Sequence, residues 1–71
     1  MERGFKDVQK RLGERLRAKR ESLGLSQEDL ALEANVDRTY VSMIERGLGN
    51  VSLKVLYQLA TILKVDVKAL L

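Results

Sequence analysis

The groups in this 71-residue sequence that could do chemistry are cationic and hydroxylic. Neither His nor Cys occurs, so the usual general base, the usual nucleophiles and the imidazole or thiolate metal sites are missing. Glu28 and Asp29 are neighbouring carboxylates, and helix capping with the helix dipole accounts for them without catalysis. Gly47 and Gly49 lack the rest of any phosphate-loop fingerprint. No enzyme, no cofactor and no metal are expected. What remains is recognition by hydrogen bonding, and the run Arg38-Thr39-Tyr40 offers a guanidinium fork, a hydroxyl with a methyl, and a phenol.

Those donors need elements to hold them, and Ser26 to Glu45 supplies two helices with a fixed turn. Ser26 is an N-cap, with Asp29 three residues on to complete a capping box. Leu30, Ala31 and Ala34 then share a face, Ala31 being small where a second helix must come close. Asn35 accepts the left-handed backbone that ends a helix, and Val36 suits the corner. Asp37 caps the next helix, in which Val41 and Ile44 form an apolar pair while Arg38, Thr39, Ser42 and Met43 project elsewhere. Two short helices, a tight turn and an outward-facing second helix describe a helix-turn-helix. Two amphipathic core helices in an unrelated bundle are the bland alternative. In a helix-turn-helix the Arg38 fork would match O6 and N7 of guanine, and Thr39 would offer a methyl to thymine and a hydroxyl to a base or phosphate.

The flanks read as helices too. Phe5, Val8, Leu12 and Leu16 recur at intervals of three or four, with Leu23 closing the series, so the spacing predicts one long helix ended by Gly24. Gly13 inside it costs about 1 kcal/mol relative to Ala and weakens the part before Leu12. Residues 1–4 should fray. Leu25 bridges to the Ser26 cap as a staple. Gly47 ends the helix-turn-helix, Ser52 caps a fourth helix with Leu53, Leu56, Leu59, Ala60 and Leu63 on its core face, and Asp66 caps a short fifth. The expectation is an all-α, five-helix single domain over residues 1–71.

More apolar residues lie near the C-terminal end than one small core can use. Val55, Ile62, Val67, Leu70 and Leu71 form a predicted homodimer interface through residues 65–71 and part of the fourth helix. Internal packing around the corner between the last two helices is the alternative.

Residues 1–20 carry eight basic side chains against three acidic ones, whereas the chain as a whole has a formal charge of only +3. That asymmetry suits a polyanion on one side. Binding of the basic first helix to a membrane is disfavoured because Glu14 and Glu21 share its polar face. No apolar run exceeds three residues, which gives no spanning segment or signal sequence, so a cytoplasmic location is expected. Asn50-Val51-Ser52 is then an accidental sequon.

The segments LSQEDLA and VDRTYVSMIERG resemble the lambda-repressor-like (Xre) family of DNA-binding domains, and the whole most resembles the restriction-modification controller proteins within it. The resemblance implies a transcriptional regulator of double-stranded DNA that binds an inverted-repeat operator as a homodimer and regulates its own gene, with RNA polymerase a candidate partner and no small-molecule ligand. An antitoxin or small phage-type repressor is the alternative on the same scaffold. By resemblance, Arg38, Thr39 and Tyr40 face the bases, although Tyr40 could equally wedge between helices. Gln27, Ser42, Arg46 and Asn50 are implied phosphate contacts, with Arg17 or Lys19 as weaker ones. Arg20 and Glu45 are implied partners in a desolvated ion pair, two exposed charges being the alternative. Many relatives carry a basic residue near positions 48 and 49 and a Pro at 51, where this chain has Leu48, Gly49 and Val51, so fewer loop contacts to the DNA backbone are expected.

Overall fold

Four helices and a short 3-10 turn follow one another: α1 (Phe5–Ser22), α2 (Gln27–Ala34), α3 (Arg38–Glu45), α4 (Leu53–Leu63) and the 3-10 turn Val67–Ala69. The computed structural model describes residues 4–71, and no strand occurs among them. The fraying expected of residues 1–4 lies outside the described residues except at Gly4, which stands as the N-cap of α1.

Local chemistry sets the boundaries. At the start of α2 the Asp29 N–H donates to Ser26 Oγ at 2.9 Å and the Ser26 N–H donates to Asp29 Oδ2 at 3.0 Å, a complete capping box. Asn35 closes that helix at φ 57°, and the Val36 N–H reaches back to the Ala31 carbonyl at 2.9 Å. Asp37, Ser52 and Asp66 each accept a backbone N–H at the start of the next element. Gly47, at φ 75°, turns the chain out of α3.

α3 is packed between α1 and α2, and α4 lies against α2. Leu12 and Leu16 of α1, Leu30, Ala31 and Ala34 of α2, Val41 and Ile44 of α3, and Leu56, Leu59, Ala60 and Leu63 of α4 make the core. Three apolar residues expected there stand outside it: Phe5 is 60% exposed, Leu23 43% and Leu53 76%. Spacing assigns a residue to a face, but burial also requires a neighbour beneath it, and these three sit at helix ends that overhang the core.

The expected fifth helix is a single 3-10 turn. Its hydrogen bonds run from Ala69 N to Asp66 O, Leu70 N to Val67 O and Leu71 N to Lys68 O, the tighter i to i+3 pattern. That turn carries Leu70 into the core, where it is 1% exposed.

Gly13 has a different meaning from the one its helix propensity suggests. A Cβ at this position would collide with the carbonyl oxygens of Ile44 and Glu45, the latter at 2.8 Å. The missing side chain lets the backbone of α1 rest on the last turn of α3, and α1 is helical on both sides of it.

Candidate nucleic-acid interface

Arg38 and Thr39 open α3 and both are exposed. Asp37 fixes that end: its Oδ1 accepts the Thr39 N–H at 2.8 Å. The same N–H, helped by the nearby Arg38 charge, holds the Asp37 carboxyl below the usual carboxylate range. The reverse face of α3 is sealed by Val41 and Ile44, 0% and 3% exposed. An amphipathic helix with its first two side chains free and its back buried can present donors to a groove without altering the core.

The far end of α3 is fastened. Arg20 Nε donates to Glu45 Oε2 at 2.6 Å and Arg20 Nη2 to Oε1 at 3.0 Å, while Arg20 Nη1 donates to the Leu25 carbonyl at 2.7 Å. The two side chains are 9% and 3% exposed. Arg20 and Glu45 are thus brought together as a bidentate, desolvated pair, and the hydrogen bond to Glu45 raises the Arg20 pKa above its ordinary value. Gln27 Nε2 donates to the same Glu45 Oε1 at 3.0 Å, so the start of α2 joins the network.

The other residues singled out in the sequence are placed unequally. Tyr40 is half-buried against the core and its hydroxyl accepts the Ser52 N–H at 3.2 Å, so it fills the wedge position between α3 and the start of α4. Arg46 is exposed, with its Nε 3.4 Å from the Ser42 carbonyl, and Ser42 is half-buried. Asn50 is exposed in the loop before α4. Arg17 is exposed and pairs with Glu21 at 3.3 Å.

This geometry is that of a helix-turn-helix, and the family model of that description matches residues 16–70. The chain belongs to the helix-turn-helix family. Within it the chain is similar to the control protein C.SmaI of Serratia marcescens, with 40% identity over 67 residues covering 94% of this chain and 80% of that protein. Among solved structures it is similar to the restriction-modification controller protein C.AhdI of Aeromonas hydrophila, at 45% identity and TM-score 0.86, covering 92% of this chain and 97% of that one. It is also similar to the biofilm regulator SinR of Bacillus subtilis, whose structure is a complex with DNA, at 37% identity and TM-score 0.80, covering 83% and 95%.

In this helix-turn-helix chain the expected interface residues need one correction. Leu70 is buried inside the protomer, so it is not available to a second copy. Val55, Ile62 and Val67 are half-buried against the core and Leu71 is 40% exposed. Exposed Leu53 and Tyr57 lie one turn apart on α4. No described helix is long and apolar enough to cross a membrane.

Two positioning residues escaped the sequence reading. Gly13 had a legible signal, a glycine amid good helix formers, which often marks close backbone approach. Gln9 had none: its Nε2 donates to the Gly49 carbonyl, tying α1 to the loop after α3.

Proposed function

We propose that the protein is a transcriptional regulator that binds an inverted-repeat operator as a homodimer and controls a restriction-modification system, its own gene included. The observation that carries the reading is the free Arg38-Thr39 end of α3, backed by Val41 and Ile44 and fastened behind by Glu45. Arg38 reads guanine through O6 and N7, and Thr39 packs its methyl against thymine. Arg46, Asn50, Arg17, Ser42 and Gln27 hold phosphates, which fix register without selecting sequence. Tyr40 supports the base-reading end from behind.

Two copies joined through Val55, Ile62, Val67 and Leu71 place two recognition helices about 34 Å apart on one face of the duplex. The similarity to the controllers C.SmaI and C.AhdI supports the restriction-modification assignment. Similarity to SinR, seen with DNA, supports the mode of binding.

Selection of bound sequences from random duplex DNA at stated salt tests the proposal, and two inverted half-sites one helical turn apart are expected. Arg38→Ala then blurs selectivity at one base pair by about 1–3 kcal/mol, whereas Arg46→Ala weakens all sequences alike. A chain that enriches no sequence overturns the reading.

A further inference from the structure

Glu45 does more than hold α1 against α3. Its carboxylate can only accept hydrogen bonds. It takes three: Arg20 Nε at 2.6 Å on Oε2, and Arg20 Nη2 and Gln27 Nε2, each at 3.0 Å, on Oε1. The Gln27 amide has a donor end and an acceptor end of nearly the same shape. Opposite an acceptor-only group just one orientation is stable, with the nitrogen turned toward the carboxylate. The Glu45 side chain is 3% exposed and clamped by Arg20, so it cannot turn away.

That orientation determines what Gln27 offers outward. One Nε2 proton is committed to Glu45, and the second has no partner among the described residues. Gln27 is the first residue of α2, where the opening backbone N–H groups have no acceptor within the helix. A phosphate oxygen, like a carboxylate, only accepts. A flipped amide would turn its oxygen toward Glu45 and set acceptor against acceptor.

We infer that Glu45 is a positioning residue for DNA binding: the buried carboxylate locks the Gln27 amide so that its second Nε2 proton meets a backbone phosphate at the start of α2. The inference rests on the proposed DNA-binding role and adds a residue that touches no DNA itself.

A double-mutant cycle tests it, with duplex DNA carrying the selected operator and a random duplex as probes. Gln27→Ala is expected to weaken both by about tenfold or more, the worth of one hydrogen bond to a charged group. Glu45→Gln, checked by circular dichroism to be folded at the assay temperature, is expected to cost a similar factor alone and nothing further in the Gln27→Ala background. Equal losses in both backgrounds would mean that Glu45 acts only through the general placement of α3, and overturn the inference. Nuclear magnetic resonance of the wild-type chain provides a second readout that needs no folded variant. One Gln27 Nε2 proton should sit downfield and stay put on DNA addition while the other shifts, and a bound complex in which neither responds overturns the inference. Wild-type protein that binds no duplex at all overturns the proposed function as well, which separates the two failures.

Discussion

Arg20 and Glu45 meet across 25 positions of sequence in a site that water hardly reaches. A pair of this kind contributes little over a well-packed apolar pair, but removing one member strands a charge and costs about 3–5 kcal/mol. Glu45→Ala should therefore lower the melting temperature by more than about 10 °C in a domain this small, read by thermal denaturation. Asp37 gives a pH-dependent counterpart. Its carboxyl titrates below the ordinary value chiefly because the ionised form accepts the Thr39 N–H. A depressed folded-state pKa stabilises the protein above the unfolded-state value, and that contribution disappears as the pH falls through the depressed one. The melting temperature should be insensitive to Asp37 ionisation from neutrality to about pH 4 and fall below it, with Asp37→Asn, which caps without ionising, removing part of the fall. Asp29 follows the same direction through its bond from the Ser26 N–H.

Between elements, one close contact of α1 with α3 involves no side chain on α1. Gly13→Ala gains helix propensity of about 1 kcal/mol. It also drives a methyl into the Ile44 and Glu45 carbonyls, and overpacking of that kind costs about 1–3 kcal/mol with a backbone shift. The expected net result is a lower melting temperature together with weaker operator binding, since the recognition helix itself is displaced. Serine-capped and aspartate-capped starts and the Asn35 stop were legible because capping is local chemistry written in adjacent residues. The positive φ at Lys64, 60°, was not legible, because lysine carries no preference for that conformation and the turn is imposed by docking of the following segment. Likewise Leu53 and Leu56 look alike in sequence, and only the reach of the packed neighbours separates a 76% exposed residue from a 4% exposed one. Arg38 and Thr39 could be picked out early because a charged and a hydroxyl residue directly after a cap are free to face outward. The roles of Gln9 and Tyr40 depend on loops returning from 40 and 12 residues away, which no local pattern encodes.

At the scale of the molecule, part of the apolar surface left after folding gathers in one groove. Phe5, Leu48, Leu53 and Leu71, 40–76% exposed, line a groove with Val8, Leu12 and Leu56 beneath. Such a surface is larger than isolated exposed leucines and fits association of two chains. Sedimentation at micromolar concentration should show a species of twice the 8.0 kDa chain mass. Leu71→Glu, exposed enough to spare the fold, should shift it toward the monomer and weaken operator binding while leaving half-site contacts intact. A lone 8.0 kDa species for the wild type would remove the dimer.

The recognition helix is anchored at its rear and unencumbered at its front. Gly13 and Arg20 of α1 hold its last turn, while the Arg38 and Thr39 side chains are exposed. On the proposed reading, a different operator asks for exchange of these two surface side chains alone, and the packing that sets thermal tolerance is left as it is.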